Sequence, residues 1–173
     1  MIETERLILR EYTMSDFDAL YSILSDPITM QYYPHPYDEA YTKRWIDWNL
    51  KNYEKYGFGL WAVDLKNYGF IGDCGLTMQN IDGKELPEIG YHIHRDFWRR
   101  GFATEAARAV RDWAFANTDY DELFSYMNKE NQPSAAAARA NGMTKRKEFI
   151  DVNQEELCVY SITRSEWKEM IGK

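Results

Sequence analysis

Arg99, Arg100 and Gly101 stand directly before a stretch of helical periodicity, and the chemistry this arrangement can do is anion binding. A loop that runs into a helix N-terminus leaves several backbone N–H groups without intrahelical partners. Those donors and the helix dipole favour a bound anion, the dipole alone by roughly 0.3–2 kcal/mol. Gly101 and Ala103 carry little or no side chain to block a phosphate, and the two arginines add charge. The same pattern also fits an ordinary β–α connection. Upstream, Glu88 and His92 sit in a segment that alternates as a strand, so they share a face. A carboxylate and an imidazole are groups that take and give protons, and an imidazole titrates near neutral pH. His94 shares that face, which is the start of a metal site, but no third ligand is evident.

The elements around these residues follow from periodicity. Glu88–His94 alternates, with Ile89, Tyr91 and Ile93 on the second face. From Ala103 the apolar residues recur at helical spacing through Ala106, Ala107, Val110, Trp113 and Ala114. Thr104 and Glu105 put an oxygen and an acid near that helix start. Leu123–Met127 reads as a strand, and a strand–helix–strand succession implies parallel pairing with Glu88–His94. Pro133 belongs in the first turn of the next helix, which Asn141-Gly142 ends.

Earlier in the chain, Leu7–Leu9 is a first strand, and Thr13 with Asp16 opens a helix carrying Phe17, Leu20, Tyr21 and Leu24. Gln31–Tyr37 is an aromatic, proline-punctuated loop, either a cover over the core or a wall of a substrate site. Asp38 caps a helix to about Tyr56, broken at Gly57. Leu60–Leu65 and Phe70–Gln79 are strands joined by a turn, and a second turn at Asn80–Lys84 leads to Glu88. Thr144–Ile150 and Leu157–Ile162 form a closing antiparallel pair, and Ser165–Ile171 a short terminal helix. With no repeat and no linker, residues 1–173 read as one α/β domain.

Trp98-Arg99-Arg100-Gly101-Phe102-Ala103 is similar to the pyrophosphate-binding loop of the GNAT superfamily of N-acetyltransferases, usually written Gln/Arg-x-x-Gly-x-Gly/Ala. The segments ETERLILR, GFGLWAVDL, FIGDCGL, EIGYHI and NKENQPSAAAARANGM resemble its RimJ/RimL branch, which acetylates ribosomal-protein N-termini. The resemblance covers nearly the whole chain, and its force lies in the order and separation of the segments. It implies the GNAT fold: a mixed, mostly antiparallel sheet of about six or seven strands with one splayed parallel pair, flanked by about four helices.

The resemblance also implies roles. Acetyl-CoA would enter the gap between the parallel strands, its arm paired with the backbone of Tyr91, His92 and Ile93. The N–H groups of Trp98, Arg99, Arg100, Gly101, Phe102, Ala103 and Thr104 would hold the diphosphate, and Asn131 the arm. The N–H of Ile93 is the oxyanion donor, a role worth about 3 kcal/mol in other acyl-transfer sites. Glu88 is the expected general base toward an amine, with His92 the second candidate. The usual tyrosine acid corresponds to Ala138 here; the RimJ/RimL branch commonly lacks that tyrosine as well and implicates a serine at the start of the helix, which matches Ser134 and gives it the acid role. Trp98 departs from the loop consensus, and Gly142-Met143 replaces the usual Gly-Phe. A protein N-terminal α-amine is the favoured acceptor over a small-molecule amine, and a homodimer is the family habit. The alternative is an acyl-CoA-binding protein without catalysis, motivated by Ala138.

The totals bound these readings. The chain has 173 residues, 45% hydrophobic and 16% aromatic, enough for a sizeable core. A formal charge of −7 argues against a nucleic-acid surface and suits a cationic amine. No membrane-length apolar run and no secretory signal point to the cytoplasm. Cys74 and Cys158 lack metal spacing and read as buried thiols, so no metal is expected. Neither a dinucleotide Gly-x-Gly-x-x-Gly after an early strand nor a P-loop is present, which disfavours another kind of phosphate-binding module.

Overall fold

In the computed structural model, which describes residues 1–173, the alternating segments pair into one sheet. Its strands are β1 (Ile2–Glu3), β2 (Leu7–Arg10), β3 (Leu60–Leu65), β4 (Gly69–Ile81), β5 (Lys84–Ile93), β6 (Glu122–Asn128), β7 (Thr144–Ile150) and β8 (Glu156–Thr163). The helices are α1 (Phe17–Leu24), α2 (Glu39–Tyr56), α3 (Phe102–Asn117), α4 (Gln132–Ala140) and α5 (Arg164–Ile171). The spatial order is β1-β2-β3-β4-β5-β6-β8-β7. Only β5 and β6 run parallel, because α3 returns the chain between them.

Alternation divides β3 between two cores. Trp61 and Val63 join the apolar face of α3 (Ala106, Ala107, Val110) in one cluster. Leu60 and Ala62 join Leu20 and Leu24 of α1 and Ile46 of α2 in the other. The sheet therefore lies between an α1/α2 layer and an α3 layer, and each large aliphatic side chain buried there contributes roughly 1.5–3 kcal/mol. The helix ends follow the sequence. Asp38 Oδ1 accepts the Tyr41 N–H at 2.7 Å, and Gly57 closes α2 in the left-handed region at φ 77°.

The sheet has eight strands, and there are five α-helices, more than the six or seven strands and four helices expected. The additional strand, β1, is two residues long, too short to alternate, and forms only because Ile2 and Glu3 meet Leu9 and Ile8. Strand β5 starts at Lys84, not Glu88, and runs through Pro87. His94 donates to Ile71 O, which fixes the even-numbered residues of β5 as the ones bonded to β4. Pro87 is odd-numbered, so its missing N–H takes nothing from that ladder.

Candidate active site

The parallel pairing of β5 with β6 consists of one bridge, Glu88 opposite Phe124. Two side chains end it. A continued ladder would join the Tyr126 N–H to Ile89 O. Instead the Ser125 hydroxyl donates to Ile89 O at 2.7 Å, and the Tyr126 N–H points at Glu88 Oε2 at 3.4 Å. Beyond this point the strands part. By the same alternation, the backbone of Tyr91 and Ile93 faces the gap. His92 does not offer its backbone there as expected: its N–H donates to Asp73 Oδ1 at 3.0 Å, on the β4 side.

The gap opens into a cleft of about 630 Å³. Its floor is Tyr91, His92 and Ile93, one wall is the Trp98–Thr104 segment, and the other is α4 with Asn131 and Ser134. The loop before α3 turns through the left-handed region twice, at Arg99 (φ 61°) and Gly101 (φ 80°). Gly101 tolerates this freely; Arg99 does so at a cost of about 1–3 kcal/mol. The N–H groups from Arg99 to Thr104 have no acceptor within the protein, the arrangement of an anion-binding nest on a helix N-terminus. Glu105 does not cap its own helix. It accepts from Thr4 Oγ1, Arg6 N and Arg6 Nε, while Arg6 Nη1 donates to Arg100 O, so the β1–β2 turn clamps the loop. The Arg100 guanidinium packs over the rings of Phe97 and Phe102. Trp98, the departure from consensus, ties loop to strand: its Nε1 donates to Ile93 O at 2.8 Å.

Asn131 is the N-cap of α4, its side chain accepting from the Ser134 N–H at 3.2 Å. Ser134 is therefore not the cap. Its hydroxyl lies 3.1 Å from the Tyr91 hydroxyl, across the cleft. Behind them a narrow cavity of about 40 Å³ holds Glu88, together with Tyr33, Tyr91, Tyr126 and Ala138. Glu88 is half-buried, and its open part faces this cavity. Burial pushes its carboxyl up to about 8, partly offset by the Tyr126 N–H. Burial likewise raises the Tyr91 phenol to about 12.

Three residues here went unremarked in the sequence as side chains of the site: Tyr33, Tyr126 and Asp73. Tyr33, from the aromatic loop, lines both cavities. Asp73 is fully buried and faces the His92 ring. An acid inside the apolar FIGDCGL run was the available signal, since buried acids are rare unless paired. His92 and His94 diverge, His94 Nδ1 accepting from the Asp96 N–H, and no group of three potential ligands is gathered anywhere.

An unpaired strand edge running toward an anion nest, with a proton-accepting group at its far end, defines a site for an extended phosphate-bearing substrate that undergoes transfer at its other end. The family model of the acetyltransferase (GNAT) domain matches residues 6–144, and the chain belongs to that family. It is an acyltransferase. An uncharacterised Bacillus subtilis protein, YkkB, is 35% identical over 159 residues, 91% of this chain and 92% of its own length. The crystal structure of an acetyltransferase from Agrobacterium tumefaciens superposes with a TM-score of 0.82 at 32% identity over 94% of both chains. RimL, a ribosomal α-N-protein acetyltransferase solved with coenzyme A, shares the fold at a TM-score of 0.77 and 18% identity, covering 92% of this chain and 95% of its own.

Proposed function

We propose that the protein transfers the acetyl group of acetyl-CoA directly to a primary amine, with the α-amine of a protein or peptide N-terminus the favoured acceptor. The carboxylate of Glu88 at the parting of β5 and β6 is the observation that carries this reading. The free N–H groups from Arg99 to Thr104 hold the diphosphate, and the edge of Tyr91 and Ile93 receives the arm. Ile93 lies about 16 Å from Glu88 along the strand at about 3.3 Å per residue, so the oxyanion donor that fits this base is the Tyr91 N–H, which faces the same gap beside the Tyr91–Ser134 pair.

Glu88 is the base. An α-amine has a pKa near 8, close to the value of about 8 for Glu88, so moving a proton from ammonium to carboxylate is nearly level. For a lysine side chain near 10.4 the same step is uphill by about 3 kcal/mol. Glu88 passes the first proton on to water; as the nitrogen bonds to the thioester carbon it loses its second proton to Glu88, the C–S bond breaks, and Ser134 gives the sulfur a proton and regains one from water through Tyr91. The net change is ammonium plus thioester to amide, thiol and one proton. His92 lies past the parting, along the cleft, and is not the base in this account.

The second reading, a CoA-binding protein without catalysis, draws on Ala138, where the family's tyrosine acid is missing. The Tyr91–Ser134 pair weakens it by bringing a hydroxyl relay to the same cavity from the opposite wall. Incubation with acetyl-CoA and a panel of N-terminal peptides tests both. Free CoA and a mass gain of one acetyl on the peptide α-nitrogen are expected. No transfer to peptides, polyamines, aminoglycosides or amino acids would favour the binder.

A further inference from the structure

Asp73 has no solvent exposure, and four groups converge on its carboxylate. Oδ1 accepts the His92 N–H and faces His92 Nδ1, each at 3.0 Å. Oδ2 accepts the Tyr12 hydroxyl at 2.7 Å and Trp45 Nε1 at 3.1 Å. Three of these groups, the His92 N–H, the Tyr12 O–H and the Trp45 N–H, can only donate here, so the carboxylate oxygens act as acceptors; a hydrogen bond from Nδ1–H completes the set and leaves the ring's lone pair at Nε2. The ring is fixed on two sides, by Tyr33 tilted across it at 5.2 Å and by the edge of Trp45 at 5.5 Å.

Nε2 is buried and has no partner in the protein, although His92 lines the cleft and its side chain is only 8% exposed. Buried polar atoms are nearly always paired, so an acceptor left open beside a cleft points to a donor on a ligand. His92 belongs to the Glu88 face of β5, and its backbone is turned from the gap that would take the cofactor arm. Tyr33 of the aromatic loop meets the ring, and Thr29 and Gln31 line the same cleft. Glu88 and His92 are roughly 13 Å apart along the strand at about 3.3 Å per residue.

We propose that His92 Nε2 is a specificity determinant that accepts a hydrogen bond from an N–H or O–H of the acceptor, several bonds from the reacting amine, with Asp73 as its positioning residue. The acceptor is therefore an extended, peptide-like amine with a second donor, not a short alkylamine. This inference rests on the N-acetyltransferase reading and deepens it. The titratable groups around the ring are Asp73 from β4, Tyr12 through Asp73, Tyr33 from the loop, and Glu88 and Tyr91 on its own strand; α2 contributes only the uncharged Trp45.

His92→Phe keeps a ring and removes the acceptor. Asp73→Asn presents an amide that can donate to Nδ1, which moves the ring proton to Nε2. Each is compared with wild type for acetyl-CoA affinity by calorimetry and for kcat and KM toward a peptide and a short alkylamine. Both variants should raise the peptide KM about 10-fold or more, with kcat, acetyl-CoA affinity and the alkylamine KM within about 2-fold. Nitrogen NMR of the imidazole should show the Nδ1–H tautomer in wild type and Nε2–H in Asp73→Asn. Weakened acetyl-CoA binding would reassign the bond to the cofactor, and loss of a kcat pH limb would make His92 a base; either overturns the proposal, as does an unchanged peptide KM in His92→Phe. If Asp73→Asn fails to fold, His92→Phe and the wild-type tautomer decide. Wild type that acetylates no amine fails the enzyme reading instead, a distinct result.

Discussion

Glu88 and Phe124 form the single point at which β5 and β6 pair, and the Glu88 side chain helps to end that pairing by meeting the Tyr126 N–H. One residue thus closes the sheet through its position and opens the cleft through its carboxylate. The coupling explains why the carboxyl is held in a narrow, buried cavity, where its charged form is disfavoured, instead of reaching water.

Replacing this carboxyl with an amide tests its role as base. Glu88→Gln should lower kcat/KM by about 10²–10⁴-fold, the usual range for a general base. In wild type kcat/KM should rise as pH passes about 8, where Glu88 ionises, and that limb should vanish in the variant. Steady-state kinetics from pH 6 to 10, with an acceptor whose own pKa is well above 8, separate the enzyme's ionisation from the substrate's.

The same variant should be the more stable protein at high pH. In the unfolded chain this carboxyl ionises near 4.5; in the fold it holds its proton to about 8. Between those values unfolding releases a proton, so rising pH favours the unfolded state. The penalty is absent below pH 4.5 and complete above about 8. Glu88→Gln removes it, so Tm should exceed the wild-type value at pH 9 and match it at pH 4, by differential scanning calorimetry. A variant less stable at both pH values would mean that the bond to Tyr126 outweighs desolvation.

How much of this was legible depends on the range of the interactions. The loop was readable because its signal is local: Gly101 precedes a clear helical stripe, and the unpaired N–H groups follow from helix geometry. The crossover topology was readable from element order. Arg99 in the left-handed region was not, since nothing in an arginine announces a positive φ. The Asp73 cluster was not, since its partners Tyr12, Trp45 and His92 come from three separate stretches of chain. The raised proton affinity of Glu88 depends on Tyr33 and Tyr126 enclosing it, and neither lies near it in sequence.

Gly101 separates conformation from charge at the phosphate site. Its φ of 80° disfavours any side chain, while an added Cβ would meet only Arg6 Nη2, at 3.4 Å. Gly101→Ala should therefore weaken acetyl-CoA binding mainly through backbone strain, at about 1–2 kcal/mol or roughly 5–30-fold. Gly101→Glu adds a negative charge facing the diphosphate and should weaken it considerably further. Calorimetric titration with acetyl-CoA measures both, and affinity unchanged in Gly101→Glu would refute the loop's role.

The hydroxyls of Tyr91 and Ser134 should behave as one unit. If Ser134 delivers the proton to sulfur and Tyr91 restores it, removing either hydroxyl breaks the same path. Ser134→Ala and Tyr91→Phe should each lower kcat, by about 10–100-fold, and the double variant should fall little below the weaker single one. Two independent contributions would instead multiply. Ser134 is the hydroxyl assigned to the sulfur, and water can reprotonate it when Tyr91 is absent, so Tyr91→Phe should retain more activity than Ser134→Ala. A Ser134→Ala variant with full kcat would remove the relay from the mechanism and leave water as the source of the proton.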